Sequence, residues 1–351
     1  MTTIHDIARI TGYSVATVSR AFKGVDGLSG ETREKILETA RELNYAPKKY
    51  AKHTRKITKN ANIGVIISFR SCPWCNVIMD GICDTLEKQG ILPIFVNTNE
   101  IPYREITCID KLKNSVDGMI VYSSTEYNEY CTNFLMEINK TIPIVTIVRN
   151  TNLPTIDSVS IETYRPTYNL LTELVKNGHR HIAIVNGPMV IKPSMERFNA
   201  YTQVLNDNGI PIRNEYIFYS DFNQNTAYEI ASRIKTIAPR VTAVFASNSV
   251  IARGCLKGFI DCNIKIPDDI AFVCSGDEFS FSLPGSRISV IADPDYEIGC
   301  KGSVLLLDRI NSNKKIRNRN PQRVILEPEL VLRGSELFPV KRIEERGLLY
   351  P

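Results

Sequence analysis

Residues 4–22 read Ile4-His5-Asp6-Ile7-Ala8-Arg9-Ile10-Thr11-Gly12-Tyr13-Ser14-Val15-Ala16-Thr17-Val18-Ser19-Arg20-Ala21-Phe22. The stretch predicts two short helices broken at a glycine. Thr3 to Asp6 fits a capping box opening the first helix, whose apolar face is Ile7, Ala8 and Ile10. Gly12 supplies the left-handed turn, and Ser14 caps a second helix with Val18, Ala21 and Phe22 inward. Ser29 caps a third, in which Ile36, Leu37, Ala40 and Leu43 recur at helical spacing. A plain three-helix bundle would satisfy this pattern. So would a helix-turn-helix, in which the second helix offers Val15, Ala16, Thr17, Ser19 and Arg20 to a DNA groove. Arg20 has the reach for guanine O6 and N7, and the hydroxyls of Ser14 and Thr17 suit phosphate oxygens.

Charge favours the second reading. Residues 1–60 hold 12 Lys/Arg against 6 Asp/Glu, while the remainder holds 31 against 32. The excess positive charge therefore sits wholly in the first sixth of the chain, the footprint of a nucleic-acid module on a neutral body. It peaks in PKKYAKHTRKITKN, residues 47–60, with six Lys/Arg and no acid.

From residue 62 the pattern changes. Apolar runs at 63–69, 91–97, 117–123, 143–148, 181–185, 242–247 and 270–275 alternate with helical segments. Continuous apolar strands separated by helices imply parallel sheets covered on both faces. Some ten strands are too many for one sheet, so two doubly wound lobes with a cleft at their strands' carboxyl ends are expected. No secretory leader, no membrane-length apolar run and nine scattered cysteines point to a reducing cytoplasm without a membrane anchor.

In this order the residues resemble the LacI/GalR family of bacterial transcription regulators. The resemblance is carried by Ile4-His5-Asp6-Ile7-Ala8, Gly12 to Arg20, Asn44-Tyr45-Ala46-Pro47, Ile63-Gly64-Val65, Asp117-Gly118, Gly178 to Ala183, Thr242 to Asn248, Ile266 to Ile270, Gly276-Asp277 and Leu332 to Ser335. It implies a headpiece (1–46), a hinge helix and linker (47–60), and a two-lobed periplasmic-binding-protein-like core (61–340). One lobe would take about 61–161 plus 292–322, the other 162–291 plus 323–340, leaving a tail at 341–351. It also implies a homodimer on a pseudopalindromic operator, most simply as a repressor, with a small effector, a sugar or sugar derivative, between the lobes.

The matching DNA-contact positions are Ser14, Val15, Ala16, Thr17, Ser19, Arg20, Tyr45, Lys52, Thr54, Arg55 and Lys56. Thr54 departs from the family, where a Leu often wedges between base pairs. The matching effector positions are Trp74, Arg149, Lys192, Arg197, Phe222, Asn248 and Asp277. Ile161-Glu162, Asn248-Ser249 and Val148-Arg149 stand where the family often has carboxylates, which opens the way to an anionic effector held by Lys192, Arg149 and Arg197. No cofactor, metal or catalytic residue is expected. Cys72-Pro73-Trp74-Cys75 has the spacing of a thiol redox pair, so a redox-modulated regulator or a thiol oxidoreductase is the rival reading. A solute-binding protein would share the core but not the headpiece.

Overall fold

A computed structural model describes residues 4–15, 17–18, 21, 29, 32, 35–36, 38–39, 61–67, 73–99, 101–123, 129–149, 153–237, 240–283, 287–312 and 320–337. The chain divides into two compact units, 1–57 and 58–351.

In the first unit, α1 spans Ile4–Thr11. Gly12 adopts φ 76° and donates its N–H to the Ala8 carbonyl at 3.0 Å, closing the helix. Ser14 then accepts the Thr17 N–H on its side chain (3.1 Å) and the Val18 N–H on its carbonyl (3.0 Å), which opens the next helical segment. Ser29 likewise accepts from the Thr32 N–H. Ile7, Ala8, Val18, Ala21 and Ile36 form the core, with Tyr13 and Val15 packed against it. One expectation changes. Ile10 is exposed, and Thr11 turns inward with its hydroxyl on the Ile7 carbonyl. A helix this short has room for one narrow buried stripe, and Ile7, Ala8 and Thr11 fill it. Ala16, Ser19, Arg20, Phe22, Tyr45, Lys52, Thr54, Arg55 and Lys56 lie outside the described residues.

The second unit holds two six-stranded sheets. The first lobe is built from β1 (Ile63–Ile67), α2 (Pro73–Glu87), β2 (Pro93–Asn97), α3 (Pro102–Leu112), β3 (Gly118–Val121), α4 (Glu129–Asn139), β4 (Ile144–Val148) and β5 (Asp157–Ile161). The second continues with α5 (Tyr164–Lys176), β6 (Ile182–Asn186), α6 (Lys192–Asp207), β7 (Ile217–Tyr219), α7 (Gln224–Ile237), β8 (Ala243–Ala246), α8 (Ser249–Asp261), β9 (Ala271–Ser275), α9 (Phe279–Ser282) and β10 (Ser289–Ala292). Then α10 (Asp295–Asn311) and β11 (Arg323–Leu326) return to the first lobe and β12 (Glu329–Val331) to the second. The first sheet, ordered β11-β5-β4-β3-β1-β2, is parallel throughout. The second, β12-β10-β9-β8-β6-β7, is parallel except for β12.

The central strands are buried on both faces, as their apolar runs require. The last crossing between lobes differs from the expected boundary. Residues 323–326 pair with β5 and so belong to the first lobe, and the chain changes sheets at 327–328.

Close helix contacts stiffen each lobe. In the first, α2 and α10 meet at Gly81 and Gly299. A Cβ at Gly299 would sit 2.1 Å from the Ile78 carbonyl oxygen, and one at Gly81 would sit 2.2 Å from that of Tyr296. In the second, α7 and α8 meet at Gly254, where a Cβ would lie 2.3 Å from the Gln224 carbonyl oxygen. Beneath the first sheet, Arg309 of α10 makes two 2.6 Å bonds to Asp157, which also accepts the Gln322 N–H.

Candidate functional site

The chain crosses between lobes after β5, after β10 and after β11, and beside the first two crossings lies a cavity of about 140 Å³. Its walls come from both sheets' carboxyl ends, the place the sequence predicts. Of the seven expected effector residues, Trp74, Arg149, Arg197, Phe222 and Asn248 line it.

The first lobe supplies an aromatic wall. Trp74, in the first turn of α2, stands edge-on to Tyr122 with ring centroids 5.5 Å apart. Arg149 lies 4.7 Å above the Tyr122 ring and donates to the Ser123 carbonyl at 2.8 Å. Its direction is fixed by backbone. The Arg149 N–H bonds the Ile147 carbonyl at 2.9 Å across Val148, which has φ 71°. That is a positive-φ γ-turn, a rare and strained shape, and more so for a β-branched residue. Buried arginine here braces the wall, so it is not a free cation for a ligand.

The second lobe supplies Phe222, also at positive φ (57°). Its ring packs on Gly187, where a Cβ would fall 2.2 Å from the ring edge, so only glycine allows the ring there. Asn248 caps α8 by accepting the Ile251 N–H at 2.8 Å. Arg197, on the inner face of α6, has a buried Nε with no hydrogen-bond partner. Among the acidic groups, Asp293 on the β10–α10 crossing acts on it most strongly, followed by Glu196.

Two expected residues do not face the cavity. Asp277 is held by Arg333 in a two-pronged pair, 2.9 and 2.6 Å. Lys192 sits beside Glu196 at 3.7 Å, one turn along α6. The anionic-effector expectation loses two of its three cations in this way: Lys192 stands away from the cavity and Arg149 is engaged. The sequence reading missed Tyr122, Asp221, Asp293 and Asp295, all of which line the cavity. Burial raises Asp293 to about 6, with Arg197 pulling it back down, and burial with the neighbouring Asp293 raises Asp295 to about 8. The Asp-Pro-Asp run after an apolar strand was a signal that could have been read.

The remaining motifs are structural. His179 is fully buried between the Thr242 hydroxyl (2.9 Å) and the Glu336 carbonyl (3.2 Å). His181 meets the Tyr216 hydroxyl at 2.9 Å. Among the described residues no three His, Cys, Asp or Glu gather to hold a metal, and no helix is long and apolar enough to cross a membrane. Cys75 is fully buried, which does not suit thiol exchange with an outside partner. Cys72 lies outside the described residues.

Residues 3–48 match the model of the bacterial regulatory proteins of the lacI family, and residues 171–336 match a periplasmic binding protein-like domain. The chain is 26% identical over 337 residues to the HTH-type transcriptional repressor PurR of Actinobacillus pleuropneumoniae serotype 3, covering 95% of this chain and 98% of that protein. PurR of Mannheimia succiniciproducens is 25% identical over 336 residues, with the same coverage. Among solved structures, the transcriptional regulator CelR in complex with cellobiose superposes with a TM-score of 0.69 at 23% identity, covering 95% of this chain and all of that one. A LacI family transcriptional regulator from Enterococcus faecium with bound ribose has a TM-score of 0.67 at 23% identity over 80% of this chain and 99% of that one. The chain thus carries a lacI-family helix-turn-helix domain ahead of a periplasmic-binding-protein-like domain, and along nearly its whole length it is similar to bacterial transcription repressors built in the same order.

Proposed function

We propose that this protein is a cytoplasmic, homodimeric repressor whose grip on a pseudopalindromic operator is set by a small polyhydroxylated ligand bound between the lobes of its core. The observation that carries the reading is the cavity at the lobe crossings, walled by Trp74 and Tyr122 on one side and by Arg197 and Phe222 on the other. A ligand touching both walls interacts differently with open and closed lobes, and only such a difference shifts the equilibrium between them. By linkage, operator and ligand then change each other's affinity by the same factor, about 5–150-fold in typical cases. The relatives' names support repression, and two structural neighbours hold cellobiose and ribose.

DNA contact is assigned to Ser14, Val15, Ala16, Thr17, Ser19 and Arg20, with Tyr45, Lys52, Thr54, Arg55 and Lys56 following the family's hinge. For the dimer, the open edge strand β2 and its surroundings carry exposed Val77, Leu92 and Ile94, an apolar strip suited to a second copy. The test is fluorescence anisotropy on a duplex selected from random sequence. Wild type should lose or gain affinity with a sugar, whereas Arg197→Ala should bind the duplex equally and ignore the sugar. An Arg197→Ala protein that responds like wild type would refute the cleft as the control site.

A further inference from the structure

We infer that the cleft selects a small sugar-like ligand carrying a protonated amine, with the ammonium group seated against Asp293 and Asp295. The inference rests on the reading of the cleft as the effector site, and it goes further by naming the ligand's charge.

The first argument is the balance of partners. The cavity is lined by three carboxylates, Asp221, Asp293 and Asp295, and two guanidinium groups, Arg149 and Arg197. Arg149 is already used, by the Tyr122 ring and the Ser123 carbonyl. Among the described residues neither Asp293 nor Asp295 has a side-chain hydrogen bond or an ion pair within 4.0 Å. Asp295 has only the start of α10 to favour its charge.

The second argument is Arg197. It faces Asp293 without closing on it, and its buried Nε donates to nothing. An unpaired donor this deep is costly, so one left open beside two unpaired carboxylates marks a place where something else binds. A ligand hydroxyl can accept from Arg197 while an adjacent ammonium donates to the two carboxylates. Trp74 and Phe222 offer apolar faces to the ring and a favourable field to a cation.

Size and chemistry narrow the choice. A volume of about 140 Å³ lies below the roughly 300–1,000 Å³ of drug-sized sites, which suits one small ring. Two carboxylates do not supply the six to eight oxygens that calcium takes, so an organic cation fits better than a metal.

Burial holds Asp295 near 8, so below that pH its carboxyl carries a proton. Binding an ammonium group then releases that proton to solvent. The other charged groups facing the pair are Arg197 and Asp221 from the second lobe and Arg149 from the first.

The experiment titrates glucosamine, glucose and gluconate into the full chain, following emission of Trp74, the chain's single tryptophan. Calorimetry at about pH 7, in two buffers of different ionisation heat, counts protons. Glucosamine should saturate at least about tenfold below glucose, with gluconate weakest, and should release protons where glucose does not. Asp295→Asn, checked as folded by circular dichroism, should lose both the amine preference and the released proton. Glucose or gluconate binding as tightly as glucosamine overturns the inference, as does silence toward glucosamine, galactosamine and mannosamine alike. A neutral sugar that moves Trp74 emission at concentrations where glucosamine does not would leave the cleft reading standing while the amine falls. Heat without any Trp74 response, unaltered in Arg197→Ala, would sink the cleft reading itself.

Discussion

Replacing Arg309 with Met tests what holds the first lobe together. Asp157 and Arg309 are almost fully buried, with side-chain exposures of 1% and 7%. Asp157 accepts three charge-assisted bonds, two from Arg309 and one from the Gln322 N–H, all at 2.6 Å. Arg309 also donates to the Asn320 carbonyl at 3.1 Å. The cluster thus ties α10 to β5 and to the segment leading into β11. Arg309→Met keeps the volume but strands a buried carboxylate with one of its three donors, a loss of about 3–5 kcal/mol for breaking such a pair. Against the 5–15 kcal/mol total typical of a domain, that is a large share. At about 2–4 °C per kcal/mol for a domain of this size, the midpoint should drop by roughly 6–20 °C. Thermal unfolding followed by circular dichroism would measure the shift, and urea unfolding the free energy. The double variant Asp157→Leu/Arg309→Met should recover most of the loss, since neither half then remains uncompensated. A loss under about 1 kcal/mol in Arg309→Met, or a double variant no better than the single, would show that water reaches the pair and that the reasoning is wrong.

Three further outcomes are expected. Gly299→Ala should cost about 1–3 kcal/mol or more, read by thermal melting, because its methyl group would meet the Ile78 carbonyl oxygen at 2.1 Å. Without ligand, stability should fall as pH rises from about 5 to 8. Asp293 and Asp295 have folded values of about 6 and about 8, above the unfolded carboxylate. The folded state therefore binds more protons than the unfolded one in this window and loses stability across it; Asp293→Asn/Asp295→Asn should flatten the melting-temperature profile. Operator affinity should fall steeply with salt, by roughly 10³–10⁵ between about 50 and 200 mM if six to ten phosphates are contacted, and an anisotropy series with a flat log–log plot would contradict a backbone-dominated grip.

The parts of the fold legible in the sequence were those with one dominant physical signal. Strands such as Ile63–Ile67 and Ala271–Ser275 are apolar throughout because both faces are covered. β5 was not legible. Its Asp157-Ser158-Val159-Ser160-Ile161 run is as buried as its neighbours, yet three of its five residues are polar, made acceptable by Arg309 and by backbone partners far along the chain. β11 and β12 are too short to show a period, which is why the last crossing was placed four residues early. The cleft shows the same divide. Trp74, Arg197 and Phe222 were legible from motif positions, whereas the fate of Asp277 depends on Arg333, 56 residues later, and no local pattern announces that pairing. The charges of the site were misread for the same reason: a lysine in a motif is counted as available until its neighbour Glu196 is seen.

The glycine contacts of the two lobes have a mechanical meaning. Where α2 rides on α10 through Gly81 and Gly299, backbone meets backbone, and where α7 rides on α8 through Gly254 only the Ala227 methyl joins the backbone contact. Such joints have no rotamers to absorb a displacement, so the paired helices would shift together rather than slide. Deformation is then left to three thin straps of chain, at the ends of β5, β10 and β11. Asp293 lies on one of them, and a guest that moves that residue by a fraction of an ångström bends a strap directly.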